Sequence, residues 1–264
     1  MKRNINIIII LAIVLLVSSS IAGVVMNSQI QDLQDKKNKP MAQIVYLQKD
    51  KIRIDMKAED IDVSMIFHGD EEVFWMIDHK KKTGTIITED ELEKLSKEME
   101  QAMESMDEAM KELPAEMQAK MKEMMQAKQM AQSKIRYKKV GSNEKVNQWI
   151  CNKYEGYANN KKEIEIWTTG WEKLGLKKED VSCFEKMGQF FSSIMKNKRW
   201  VYKVGIDEKE KDMYYGFPVK TITFEKNKAK DQFEILSVKQ EELKETVFQF
   251  PKGYKKESFI NTPH

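Results

Sequence analysis

From Ile52 onward the apolar positions alternate with charged ones. Ile52, Ile54 and Met56 form one set, and Ile61, Val63, Met65 and Phe67 a second. A period of two places successive side chains on opposite faces of a strand, so these runs predict half-buried strands with one dry and one wet face. Val73, Trp75 and Ile77 continue the pattern between Gly69-Asp70 and Asp78-His79-Lys80, and Thr85 to Thr88 follows Gly84. The connections are short enough for hairpins, which predicts a β-meander. Further strands are expected at Ile135–Tyr137, Val146–Tyr154, Glu163–Trp167, Trp200–Val204, Phe217–Phe224, Phe233–Val238 and Thr246–Phe250.

Two segments change period. Thr88-Glu89-Asp90-Glu91 is a capping-box signature. After it, Leu92, Leu95, Met99, Met103, Met106, Met110, Leu113, Met117, Met121 and Met124 recur every three or four residues. That spacing puts them on one helical stripe, and Pro114 predicts a break near Leu113-Pro114. A helical insertion is therefore expected over residues 89–133. A second amphipathic helix is expected over about 176–196, where Val181, Phe184, Met187, Phe191 and Ile194 share a face. The predicted fold class is α+β, a mostly antiparallel sheet with a Met-rich helical insertion.

The N-terminus adds an address. Met1-Lys2-Arg3-Asn4 precedes an apolar run from Ile5 to Val17, and Ser20-Ile21-Ala22 resembles a cleavage site. Residues 1–22 thus read as a secretory signal peptide cut after Ala22. The competing reading is an uncleaved anchor, since the apolar segment extends through Met26 toward the ~20 residues of a membrane span. Residues 23–40 read as a polar leader, with a single folded domain over 41–264. The expected location is periplasmic or extracellular, with membrane tethering if the segment stays uncleaved.

Without Lys2 and Arg3 the chain carries 43 basic and 42 acidic residues. This near-neutral balance argues against a nucleic-acid partner, which demands concentrated positive charge. Cys151 and Cys183 are the two cysteines. An oxidising compartment permits a Cys151–Cys183 disulfide, which would close a loop of about 30 residues and add ~3 kcal/mol by the chain-entropy account. The alternative is two buried thiols.

The ordered motifs Ile52-Arg53-Ile54-Asp55, Val146-Asn147-Gln148-Trp149-Ile150-Cys151-Asn152-Lys153-Tyr154, Ile164-Glu165-Ile166-Trp167, Gly216-Phe217-Pro218-Val219 and Phe248-Gln249-Phe250-Pro251-Lys252-Gly253-Tyr254 span most of residues 44–255. In this set the chain resembles the exported family known as domain of unknown function 4412. The resemblance implies a likeness to the lipoprotein-localisation-factor superfamily, in which an open half-barrel sheet curves around a helical lid and can hold an acyl chain. The Met-rich insertion is longer than that family's lid region, and the resemblance brings no catalytic residue with it.

Candidate chemistry is sparse. His68 and His79, with Asp70 or Asp78, lack any recognised zinc spacing, so neither a metal site nor a cofactor is expected. No nucleophile elbow, phosphate loop or metalloprotease signature is present, and a non-enzymatic role is expected. Nine of the 18 methionines lie between Met99 and Met130. Thioethers are flexible and polarizable, so a Met face adapts to many apolar surfaces. They are also soft ligands suited to copper(I), or they simply form a core stripe. The leading expectation is an extracytoplasmic binding or carrier protein for a lipid-like or apolar ligand, lined by Met99, Met103, Met106, Met110, Met117, Met121 and Met124. A Met-rich copper(I) protein and an envelope protein–protein interaction module are the alternatives.

Overall fold

The computed structural model describes residues 21–259 except 36, 38, 112, 115, 119–134, 178–179, 181 and 194–211. Among the described residues, twelve strands form one open sheet: β1 (Ile21–Asp32), β2 (Met41–Gln48), β3 (Lys51–Lys57), β4 (Asp62–His68), β5 (Val73–Asp78), β6 (Thr83–Thr88), β7 (Arg136–Val146), β8 (Trp149–Ala158), β9 (Lys161–Thr169), β10 (Phe217–Glu225), β11 (Lys228–Leu243) and β12 (Lys255–Ser258). Their order is β12-β6-β5-β4-β3-β2-β1-β11-β10-β9-β8-β7. Two antiparallel meanders, β1–β6 and β7–β11, are therefore joined through the β1/β11 pair, and β12 pairs in parallel with β6.

Hairpins fix the register. Asn159-Asn160 and Lys226-Asn227 both carry two successive positive φ values (50° and 61°; 51° and 64°). That is the backbone of the two-residue turn whose twist matches the flanking strands. Asn is well suited there; Lys226 accepts the same left-handed geometry without glycine's freedom.

Residues 23–40 are not a leader outside the fold. β1 runs from Ile21 to Asp32 and lies between β2 and β11, with Val24 paired to Leu47 and Gln240. Val24, Val25 and Met26 are buried. The expected cleavage point after Ala22 falls within β1, and residues 1–20 lie outside the described residues. Polar Asn27, Ser28 and Gln29 hide the strand from a hydrophobic reading, yet their needs are met within the sheet: Asn27 Nδ2 donates to Ser237 Oγ at 3.0 Å, and Ser28 Oγ donates to Gln43 Oε1 at 2.9 Å.

The two sheet faces are covered differently. Val24, Met26, Val45, Leu47, Ile52, Phe67 and Phe74 share the main core with Trp149, Trp167, Phe217, Val219 and Ile235. Over them packs helix α2 (Ser182–Phe190), followed by a 3-10 turn at Phe191–Ser193. Cys183 and Phe190 are buried there, and Leu174, at the end of a preceding 3-10 turn (Trp171–Leu174), and Leu176 complete the layer. Of the helix expected over 176–196, only 182–190 is α-helical among the described residues. The opposite face of β1–β6 carries Val25, Ile66 and Ile77 under the C-terminal segment, whose Phe248 is fully buried. The strand expected at 246–250 is instead a 3-10 turn, Glu245–Phe248; it crosses the sheet face, and Phe248 acts as its plug. The strand expected at Trp200–Val204 lies outside the described residues.

Helix α1 (Glu89–Lys111) leaves the end of β6, beside the edge strand β12, and the chain returns as β7 at the opposite edge. Its capping box is formed as expected: the Glu91 amide donates to Thr88 Oγ1 (3.4 Å), and the Thr88 amide to Glu91 Oε2 (3.1 Å). The break at Pro114 is also present. Leu113 N–H reaches back to Met110 O, helix resumes after the proline, and Gln118 Nε2 donates to the freed carbonyls of Lys111 and Leu113 at 3.1 and 2.9 Å.

Candidate functional site

Among the described residues, α1 enters the main core at its start. Leu92 is 1% exposed and joins the main core, where the helix meets β6 and the 3-10 turn after α2. Beyond that the stripe faces water: Met99, Met103 and Met106 are 46%, 50% and 42% exposed, and Met117 is 57%. Met110 is half-buried, while Met121 and Met124 lie outside the described residues. The expectation that Met99, Met103, Met106 and Met117 line a hollow of the sheet is thus corrected. Helical periodicity shows that these side chains share a face, not what the face meets; the position over the sheet is taken by α2. The polar positions of α1 are strongly acidic, with nine Asp or Glu against three Lys.

Cys151 and Cys183 are free thiols, so the expected bridge is not formed. Both sit in the main apolar core. Cys151 Sγ donates to Trp149 O at 3.8 Å and Cys183 Sγ to Asp180 O at 3.7 Å. Burial pushes the Cys151 thiol up to about 11 and the Cys183 thiol to about 12. Such thiols pack as small hydrophobes and are poor nucleophiles.

The histidines occupy opposite ends of one hairpin. His68 pairs with Val73 at one end of β4/β5, whereas His79 follows Asp78, which faces Val63 at the other. Five residues of strand, ~17 Å, separate the ends, which rules out a metal site shared by His68 and His79. His79 belongs to a network invisible in the sequence. Its Nε2 lies 2.7 Å from Ser64 Oγ and its Nδ1 3.1 Å from Tyr254 Oη, while Ser64 Oγ donates to Asp55 Oδ1 at 2.6 Å. Arg53 adds donations to Asp55 Oδ1 (2.7 Å) and Val247 O (2.8 Å). A serine, a histidine and an aspartate meet here, but the carboxylate holds the hydroxyl rather than the imidazole, and Ser64 is 1% exposed. In a nucleophilic triad the acid orients the base and the hydroxyl is accessible. This network ties the C-terminal segment to the sheet.

At the His68 end lies a cavity of about 310 Å³, lined by Phe67, Gly69, Glu72, Glu89, Lys186 and Phe190 among others. Lys186 Nζ donates to Asp50 Oδ1 at 2.5 Å, which raises the Lys186 pKa. The charge of Glu72 raises the Glu89 carboxyl pKa. His68 Nε2 lies 2.8 Å from the Phe248 carbonyl, which can only accept, so Nε2 carries a proton. His68 Nδ1 is buried with no hydrogen-bond partner, a situation that costs about 1–3 kcal/mol unless compensated. Its nearest acidic oxygen is Glu71 Oε1 at 3.5 Å. Sequence reading singled out His68 and Asp70 but paired them with His79; the short His68-Gly69-Asp70-Glu71 turn was the signal.

These features define an open antiparallel-sheet protein plugged on one face by a short helix and carrying a long, partly anchored acidic helix. The sequence matches the domain of unknown function DUF4412 over residues 92–254, and the chain belongs to that family. No curated protein matches the sequence. Among solved structures, an uncharacterized conserved protein from Thermus thermophilus is similar over 91% of this chain and 92% of that one, with TM-score 0.46 and 10% identity. PNGF-II is similar over 91% of this chain but 32% of its own length, with TM-score 0.38 and 12% identity. These neighbours do not support the expected likeness to the lipoprotein-localisation-factor superfamily, and at such scores neither bears on function.

Proposed function

We propose that this is a non-enzymatic, extracytoplasmic interaction module that uses α1 as an acidic, Met-faced docking helix. One observation carries the reading: Met99, Met103 and Met106 are about half exposed on a helix that, among the described residues, enters the main core through Leu92 in its first turn. Exposed thioethers at i, i+4 and i+7 form a deformable apolar strip, the kind of surface that accommodates an amphipathic helix. The nine acidic residues of α1 select the partner's character. An anionic bilayer would be repelled, since interfacial helices carry Lys or Arg on their polar face, whereas a basic amphipathic segment is matched in both apolarity and charge. The reading as a carrier for a lipid-like ligand is retained only in an outward form, with the ligand lying along α1 rather than inside the sheet.

The experiment is a titration of the full chain with a synthetic Leu/Lys amphipathic helix, compared with an acidic peptide of the same apolar face. The expected result is saturable binding of the basic peptide that weakens at least tenfold in M99S/M103S/M106S. Equal affinity of the variant, or equal affinity for the acidic peptide, would refute the docking role. Binding of phospholipid or fatty acid in its place, detected by native mass spectrometry, would favour the outward carrier.

A further inference from the structure

The geometry points to a divalent transition-metal site at the β4–β5 turn, with His68 Nδ1 and the carboxylates of Asp70 and Glu71 as protein ligands. This inference concerns the sheet and is independent of the role given to α1. One ligand atom from each of the three side chains lies within 4.8 Å of the others. Acidic turns alone are common; the buried imidazole sets this one apart. The His68 side chain is 6% exposed, and its Nδ1 has no hydrogen-bond partner.

The other ring nitrogen explains how the imidazole is aimed. Nε2–H donates to the Phe248 carbonyl at 2.8 Å, and the ring packs against Trp75 in a tilted arrangement, with centroids 4.7 Å apart. A backbone carbonyl on the distal nitrogen is the usual outer-shell device that fixes the tautomer and orientation of a metal-binding histidine. It leaves the Nδ1 lone pair directed at the turn. The 3.5 Å between Nδ1 and Glu71 Oε1 exceeds the range of a good N–H···O hydrogen bond. Two ligands ~2.1 Å from one zinc ion at the tetrahedral angle lie ~3.4 Å apart, which matches that separation. Asp70 and Glu71 are exposed and can close on an ion arriving from solvent, so a fourth position stays open to water. One nitrogen and two carboxylates suit zinc and its first-row neighbours better than magnesium or copper(I). Two cations near the turn are engaged elsewhere, Lys186 by Asp50 at 2.5 Å and Lys51, opposite His68 in the sheet, by Glu245.

The test is titration of the full chain with Zn²⁺, repeated with Co²⁺ as an absorption probe, on the wild type and on D70N/E71Q. The double variant alters only exposed side chains, so its metal-free melting temperature is expected to be unchanged. The wild type should bind one equivalent saturably, with affinity reduced by about tenfold or more in D70N/E71Q. The ¹⁵N resonance of His68 Nδ1 should shift on Zn²⁺ addition while the Nε2–H bond to Phe248 persists. Absence of one-to-one binding, equal affinity of the double variant, or an Nδ1 that is protonated toward Glu71 and indifferent to Zn²⁺ would each overturn the site.

Discussion

Burial decides the behaviour of the individual reactive side chains. Cys151 and Cys183 are 2% and 0% exposed, and with thiol pKa values near 11 and 12 they carry almost no thiolate at neutral pH. Neither should react with a thiol reagent at pH 8 in the native protein, and both should react once denaturant exposes them. Fast labelling of either residue without denaturant would show that the core opens. Glu155 offers a pH signature. Tyr157 Oη donates to its carboxylate at 2.6 Å, and Lys162 and Lys153 add favourable charge, so its pKa lies below the ordinary glutamate value of 4.5. A depressed folded-state pKa contributes stability that is fully present above 4.5 and disappears as pH falls through the lower folded value. E155Q should therefore be less stable than wild type at pH 7, and the gap should close below pH 4.5. A gap that is constant with pH would remove this role. Glu155 and Tyr157 are neighbours on one face of β8, but Lys162 is not deducible as their partner from the sequence, because it reaches them through the β8/β9 pairing.

At the scale of elements, legibility followed the strength of the local signal. The capping box, the Pro114 break and the β3–β6 meander were readable because each rests on neighbours in sequence. The environment of α1 was not, since the same period serves a core-facing and a solvent-facing stripe. β1 was hidden for a different reason: its neighbours in the sheet are β2 and the distant β11, and polar Asn27, Ser28 and Gln29 break the alternation that marks a strand. The contrast along α1 can be measured. L92A removes a fully buried side chain and should cost about 2–5 kcal/mol in denaturant unfolding. M99S/M103S/M106S should change stability by less than about 1 kcal/mol, as exposed substitutions do. A large loss from the triple variant would place those residues in a packed core.

For the whole molecule, β1 is the seam between two meanders. A Cβ on Gly23 would stand 2.4 Å from Leu243 Cδ1 and 2.8 Å from Leu47 O. G23A should consequently lower stability by about 1–3 kcal/mol through overpacking, whereas in a dangling leader it would be silent. The rest of the molecule is arranged around this seam: α2 plugs one face, the Phe248 segment covers the other, and α1 extends from the end of β6 with Met99, Met103 and Met106 exposed. The broad fold class was readable from periodicity, while the joining of the halves depended on pairings more than 200 residues apart, such as Asn27 with Ser237. The outward Met face is most directly tested by peroxide oxidation of the native chain, followed residue by residue by peptide mapping. Met99, Met103 and Met106 should oxidise at nearly the rate of free methionine, with Met26, 3% exposed, far slower, and a bound basic helix should protect the first three. Protection of Met99, Met103 and Met106 to the level of Met26 in the isolated protein would contradict the account.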